Sequence, residues 1–481
     1  MSSGQGGGHG GGHGDGHGDG RDDGQAGERN DGQADGRGAW ERGTSQYGAK
    51  RRRPRYRALS PLREHLREAF WFAPLLTCVG AVLLAGLTDL LDREIFAAAS
   101  ADQTTDTLLS FSSAAESVVS TVSSAMLTFI GVVFSISLVS LQMAASQFSP
   151  RVLRLYVRSR LIKATFATCL ATFVYTLLVQ FGYDDTTDPS RAVSVPIVST
   201  IVAVAMVMLS LALFVLYVQT TLRLLRVPHV IDRVSRESLH VLQAYRWLAP
   251  ELGPTPGSVP PGRVLLHEGR GGVLRDVNIR RLIRVARRHG TVLYQVPRIG
   301  DFIAPGTPTV VVVGGTPPRP RRITTALNVG VDRTMHQDLS FGFRQLVDIA
   351  VRALSPAVND PTTAVQAVDR IHQLLAVLAP VHLGELRHRD KDGAVRLVQP
   401  VPGWEATVDL AFTEIRICAA AQPQVTRRLA AALDDLLRIT PERRRPPLLL
   451  QRRLLERTVA AAVPDEDNRL FALTPDRQGI G

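Results

Sequence analysis

Beyond residue 69 the chain alternates long, almost uncharged apolar stretches with short charged ones. Four such stretches stand out: Phe70 to Leu91, Val118 to Met143, Ala164 to Gly182, and Val195 to Gln219. Each is long enough to cross the about 30 Å hydrocarbon core of a bilayer as a helix rising about 1.5 Å per residue. A helix of that length in a water-soluble protein carries a charged face, so the pattern predicts four membrane-spanning helices within residues 70–219. Residues 220–262 read as a juxtamembrane helix and linker. Val230, Ile231, Val234, Leu239 and Leu242 keep a helical rhythm interrupted at Pro228, and the Pro- and Gly-rich run APELGPTPGSVPPG follows. Residues 263–320 mix strand-like runs (RVLLH, TVLYQV, TPTVVVVG) with a basic helical stretch, NIRRLIRVARRH, and predict a small β-barrel or sandwich module. Residues 321–473 read as a helical bundle and 474–481 as a tail. The expected class is an α-helical membrane protein, with four transmembrane helices and an α+β C-terminal domain.

Charge placement adds an orientation. Lys50, Arg51, Arg52, Arg53, Arg55, Arg57, Arg63 and Arg67 precede the first apolar stretch, within a basic segment at 49–69. Arg151, Arg154, Arg158, Arg160 and Lys163 separate the second and third, and Arg223, Arg226, Arg233 and Arg236 follow the fourth. The other two connections carry Asp92, Glu94, Asp102 and Asp106, then Asp184, Asp185 and Asp188. Basic residues concentrate on the cytoplasmic side of membrane helices. All five segments therefore agree on one topology: a multi-pass protein of the inner, cytoplasmic membrane with both termini and the C-terminal domain in the cytoplasm. The expected partner is a bilayer with an anionic inner leaflet, which attracts such clusters by about 1 kcal/mol per basic residue. That explains the excess of 56 Lys+Arg over 44 Asp+Glu without nucleic acid.

Residues 1–48 are Gly, Asp, Gln and His with almost no aliphatic side chains, as in HGGGHGDGHGDG, and cannot bury enough apolar surface to offset ordering. Disorder is expected there; His9, His13 and His17 suit at most a weak transition-metal contact. No secretory leader is expected, because the first apolar run begins only near Phe70. Lysine occurs only at Lys50, Lys163 and Lys391, and no G-x-x-x-x-G-K-[ST] phosphate loop is present. Cys78, Cys169 and Cys418 are too far apart for a C-x-x-C motif and read as small buried hydrophobes. Neither a cofactor nor a metal site is expected.

The second apolar stretch is unusual. Ser117, Thr121, Ser124, Thr128, Gly131, Ser135 and Gln142 recur at spacings of three, four and seven, on one face of a helix. One reading is a water-facing path lined by hydroxyls around an oligomer axis. The other is close helix packing, with Ala164, Thr168 and Thr172 of the third stretch as a small-residue partner face. Glu116, at the outer end, is either a selectivity carboxylate or a solvated one.

In the β module, Gly300-Asp301 and Pro305-Gly306 flank the short run Phe302-Ile303-Ala304. The arrangement resembles the G-D-x-V-x-x-G turn of biotinyl and lipoyl carriers, yet no lysine lies between Lys163 and Lys391, so attachment is excluded. Further on, Asp360 before Pro361 reads as a helix N-cap with proline at the first helical position. A preceding helix, roughly Phe341 to Leu354, ends before Ser355-Pro356. This hairpin gathers Arg333, His336, Asp338, Arg344, Asp348, Arg352, Asn359, Asp360 and Thr362. They form either a pocket for a small anionic ligand or an intersubunit gate, or else a capped hairpin whose polar groups satisfy one another. Arg344, Asp348 and Arg352 suit an ion-pair ladder. A pairing of His336 with Asp338 or Asp360 would suit acid/base work, but no nucleophile accompanies it and no catalytic residue is assigned.

QMAASQFSPRVLR, ATFVYTLLV, GDFIAPGTP and above all RTMHQDLSFGFRQLVDIAVRALSPAVNDPTTAV together resemble the bacterial predicted membrane proteins grouped as the domain of unknown function 2254 family. The resemblance covers about Leu62 to Leu473, with its specific core at Ala353 to Ala364. It implies four membrane helices and a cytoplasmic domain, and no particular activity. The expected function is a homo-oligomeric gated channel or transport protein with a cytoplasmic regulatory domain. The alternative is a membrane-tethered scaffold that conducts nothing, and enzyme activity is not expected.

Overall fold

The computed structural model describes residues 72–99, 105–147, 159–184, 197–224, 226–248, 259–381 and 383–479. The Gly/His-rich segment 1–48, the basic segment 49–69 and most of the 249–262 linker lie outside the described residues.

Four long helices stand where the apolar stretches place them: α1 (Phe72–Ala99), α2 (Thr105–Gln147), α3 (Arg160–Asp184) and α4 (Ile197–Leu224). Each contains a window apolar enough to cross a membrane, and half of the α3 window is buried against 17% in each of the others. The third helix is therefore the hub, packed on α1, α2 and α4. Small side chains permit that close approach: Ala167, Cys169, Ala171 and Thr172 are all buried. Leu76, Leu83 and Leu90, seven residues apart on α1, lie 60–70% exposed, the arrangement of a face turned to lipid.

The next helix, α5 (Val227–Leu248), follows α4 almost directly, with Pro228 in its first turn rather than at its middle. Its apolar side, including Val230, Ile231, Val234 and Leu242, joins a core with α8 (Leu339–Ala353) and α9 (Pro361–Leu378). A span and the C-terminal core are thus joined by helix and packing, not by a loose tether. Where α5 crosses α8, Gly342 faces Ser238, whose hydroxyl donates 2.7 Å to the Val234 carbonyl. A Cβ at residue 342 would collide with that hydroxyl and come within 3.0 Å of the Ser238 Cβ. On helix propensity alone Gly342→Ala would stabilise by about 1 kcal/mol. At this crossing it is expected to destabilise by about 1–2 kcal/mol, with Ser238→Ala in the same chain restoring most of the loss. Thermal unfolding of the two variants in detergent checks both signs.

The C-terminal strands form two open sheets, so of the barrel or sandwich module expected from the sequence, the closed barrel is not formed. β1 (Arg263–Leu266), β3 (Val292–Gln295) and β5 (Pro308–Val313) join β7 (Glu385–Arg389) and β8 (Val395–Pro400) in the order β1-β5-β3-β8-β7. β2 (Gly272–Val277), β4 (Phe302–Ile303) and β6 (Leu327–Gly330) form a second sheet, β4-β2-β6. The barrel fails to close because the second edge of β3 is taken by β8 in parallel, a strand about 100 residues later within the segment read as helical. The basic stretch forms α6 (Ile279–His289), capped by Asn278, whose side chain accepts from the Arg281 amide at 3.1 Å. A short helix, α7 (Pro320–Thr324), packs beside it. The remaining helices, α10 (Trp404–Cys418), α11 (Pro423–Ile439), α12 (Arg445–Ala462) and α13 (Glu466–Leu473), complete the bundle on α8 and α9.

A buried polar chain crosses the larger sheet. Gln295 donates 2.7 Å to the Pro297 carbonyl, Gln399 donates 2.9 Å to Gln295, and His388 Nε2 lies 2.5 Å from the Gln399 Oε1. The terminal carbonyl can only accept, so each amide is oriented and His388 must donate from Nε2. Burial pushes the His388 imidazole below its ordinary pKa, and the Gln399 bond opposes this only in part. The folded state therefore binds fewer protons than the unfolded chain below about pH 6.5. Stability is expected to be complete above that pH and to fall on acidification from pH 7.5 to 5.5. His388→Gln should shrink the slope, leaving the share of His372, which burial also lowers.

Candidate functional site

The polar stripe of α2 sits on the side turned away from its neighbours. Ser117, Thr121, Ser124, Thr128, Gly131, Ser135 and Gln142 are all exposed on the single chain. The opposite side of the helix, with Ala115, Val119, Ser123, Met126 and Val133, is buried. The α3 residues expected to receive the stripe do other things: Thr172 meets Ser210 of α4 at 2.9 Å, and Ala164 is exposed. Two hydroxyls in the stripe bond along their own helix, Thr121 to the Ser117 carbonyl at 2.7 Å and Ser124 to that of Ser120 at 3.1 Å. Val118, Ala125, Val132 and Val139, one residue on, flank the stripe as an apolar exposed row. α2 has 43 residues and a length of about 64 Å, twice the hydrocarbon thickness. Glu116, at the head of the stripe, is half-buried.

Polar contacts inside the bundle hold α2 and α4 in place. Ser137 of α2 meets the Tyr217 hydroxyl of α4 at 2.7 Å, and Tyr217 is fully buried. At the other end of the bundle, Asp92 is 1% exposed and does not belong to a solvated loop. Its carboxylate accepts from the amides of Val198 and Ser199 at 2.7 and 3.1 Å and from the Ser199 hydroxyl at 2.6 Å. An acid on α1 thus caps the first turn of α4, where helix amides lack intrahelical partners. Tyr175 of α3 completes the clamp, bonding the Thr88 hydroxyl at 3.0 Å and the Ser199 carbonyl at 3.1 Å. Sequence reasoning missed this clamp; the available signal was one acid within a helical turn of an apolar span, facing a Ser three residues after Pro196.

The polar residues of the ALSPAVNDPTTA hairpin fall into three groups along α8, whose 15 residues span about 22 Å. At its N-terminus Arg333 donates 2.8 Å to Asp338, and Asp338 caps the helix by accepting from the Phe341 amide at 3.0 Å. Burial raises the Asp338 carboxyl above its ordinary pKa even with Arg333 opposing. Gln337 accepts from the Val277 amide and donates to its carbonyl, both at 3.1 Å, which ties the helical bundle to the smaller sheet. Midway, Arg344 donates 2.6 Å to Asp348 and grips Glu414 of α10 with both terminal nitrogens. The Glu414 bond raises Arg344 above its ordinary value, and Arg344 in turn holds Glu414 below the usual carboxylate range. At the C-terminal end, Asp360 accepts from the Thr363 amide at 3.0 Å and its hydroxyl at 2.5 Å, while the Asp360 amide donates 2.8 Å to Ala353. Asn359 adopts φ +46°, a left-handed conformation Asn tolerates, and accepts from Gln422 at 3.2 Å. Arg352 lies half-buried near this end and Thr362 is exposed. The two carboxylates considered for His336 are thus engaged by Arg333 and by Thr363. Among the described residues no cluster of three or more His, Cys, Asp or Glu gathers for a metal.

A family model described as "Predicted membrane protein (DUF2254)" matches residues 67–435. The chain belongs to this family. The DUF2254 match takes in all four spans, both sheets and the hairpin, and ends within α11. The chain is also similar to the uncharacterized protein Rv1290c of Mycobacterium tuberculosis H37Rv and the uncharacterized protein Mb1321c of Mycobacterium bovis. Each is 30% identical over 336 residues, covering 66% of this chain. The chain spans 63% of the length of these relatives. No solved structure matches it. This DUF2254 protein is a membrane protein with four candidate spans and a C-terminal region of helices and small open sheets.

Proposed function

We propose that this protein is a homo-oligomeric gated channel or transport protein of the inner membrane, with α2 lining a path through the bilayer. The exposure of the whole stripe carries the reading: seven small or polar side chains at heptad spacing are left unused by packing among the described residues. A polar row of this kind is costly against lipid tails and suits an axis shared by several copies. The arginine flanks support an orientation with both termini and the C-terminal region on the cytoplasmic side, next to an anionic leaflet. Gating would reach the spans through α5, which is packed into the same core as the α8–α9 hairpin. No enzymatic step and no nucleic-acid partner belong to this reading.

A non-conducting scaffold is the second reading. The back-bonds of Thr121 and Ser124 favour it, because hydroxyls satisfied along their own helix tolerate a dry contact with another copy. Tracer-ion and small-solute flux from proteoliposomes holding the purified chain separates the two. Flux above that of protein-free vesicles is expected, and flux equal to theirs over a range of salts and pH would leave the scaffold.

A further inference from the structure

We propose that α6 and α7 form an arginine face that docks the C-terminal region on an anionic bilayer surface. α6 is strongly two-sided: Leu282, Val285 and Ala286 are buried, while Arg280, Arg284, Arg287 and Arg288 are exposed along the outer side. α7 packs beside it and adds Arg319, Arg321 and Arg322, also exposed. Carboxylates to balance this charge are scarce. Between Val277 and Val331 the only acid is Asp301, which accepts from the Arg298 amide at 2.8 Å. Among the described residues the one ion pair to these arginines joins Arg287 to Asp392 at 3.7 Å, with both side chains largely in solvent. Such an exposed pair contributes little.

A dense positive face left uncompensated is a surface for polyanions. The bilayer is the occupant the observations favour. The chain is a membrane protein, and only the 14 residues 249–262 separate the end of α5 from β1, so lipid phosphates are present at high effective concentration. Guanidinium groups match phosphate oxygens in geometry. Single-stranded nucleic acid fits less well, since neither α6 nor α7 carries a Phe, Tyr or Trp on which a base could stack. The face is distant in sequence from the arginines flanking the spans, so it supplies a second footprint that would hold the sheets against the membrane. The proposal does not depend on conduction.

Thr316 is exposed and its amide donates 3.0 Å to the His289 carbonyl, which puts it beside the end of α6. A donor dye on Thr316→Cys, in a full-length chain with Cys78, Cys169 and Cys418 replaced by alanine, reports the distance to an acceptor on lipid headgroups. The chain is placed in nanodiscs of phosphatidylcholine alone, or with about 30% phosphatidylglycerol. Energy transfer is expected to rise about twofold in the anionic discs and to fall back at about 0.5 M salt, where screening is short-ranged. The variant Arg280→Gln/Arg284→Gln/Arg287→Gln/Arg288→Gln should lose the rise. Its thermal unfolding is compared with wild type, and Arg284→Gln/Arg288→Gln replaces it should it fold poorly. Equal transfer in the two discs, or a rise that the variants keep, would overturn the proposal. So would binding of a single-stranded RNA that the variants lose while the discs show no difference, which would assign the face to nucleic acid.

Discussion

Asp92→Ala is expected to loosen the span bundle where α1 meets α4, with a loss of about 3 kcal/mol or more. Three donors converge on this one buried carboxylate, and two of them are amides in the first turn of α4 that no intrahelical carbonyl can serve. Hydrogen bonds to a charged group are worth about 1.5–3 kcal/mol each, and donors orphaned in apolar surroundings add their own penalty. Alanine removes all three acceptances at once. Asp92→Asn keeps an acceptor but not the charge that favours a helix N-terminus, so an intermediate loss is expected. Ser199→Ala removes one bond of the three and should cost about 1.5 kcal/mol or more, less than Asp92→Ala. Thermal unfolding followed by size-exclusion chromatography in detergent ranks the three variants. If Asp92→Ala unfolds with wild type, the carboxylate is solvated and the clamp does not exist.

The spans were legible because length and apolarity are local properties: predicted and observed helices differ mainly at their polar ends, as when α2 runs on from Val118 back to Thr105. The Asp360-Pro361 helix start was legible for the same reason, since a cap and its proline are adjacent in sequence. α8 begins at Leu339 and not near Phe341 because Asp338, taken in the sequence as a candidate site residue, is itself the cap. What local pattern could not carry was pairing at a distance. The parallel β3–β8 contact, which replaces barrel closure, joins Leu293 to Leu397. Glu414, the strongest partner of Arg344, lies 70 residues away on another helix. Asp92 was read as an outer-loop acid because only the packed bundle reveals its burial. For the α2 stripe, periodicity was visible in the sequence, but the side of the helix left free by α3 was not.

Blocking the stripe is expected to have the largest effect on activity. In Ser124→Leu/Thr128→Leu, two side chains one turn apart in the middle of the candidate span become bulky and apolar, which would both narrow and dewet a path around a shared axis. Both positions are exposed on the single chain, so the helix core formed by Val119, Ser123, Met126 and Val133 is untouched and folding should survive. Ala125→Leu/Val132→Leu, on the flanking apolar row, adds comparable bulk beside the stripe and serves as the control. The decisive measurement is therefore tracer-ion flux from proteoliposomes holding equal amounts of wild type and the two double variants, each verified as folded and of the same oligomeric size. Flux through wild type and the flanking variant, with loss of at least about tenfold in Ser124→Leu/Thr128→Leu, is the predicted result. Undiminished flux in Ser124→Leu/Thr128→Leu would contradict the assignment of α2 as the lining of the path.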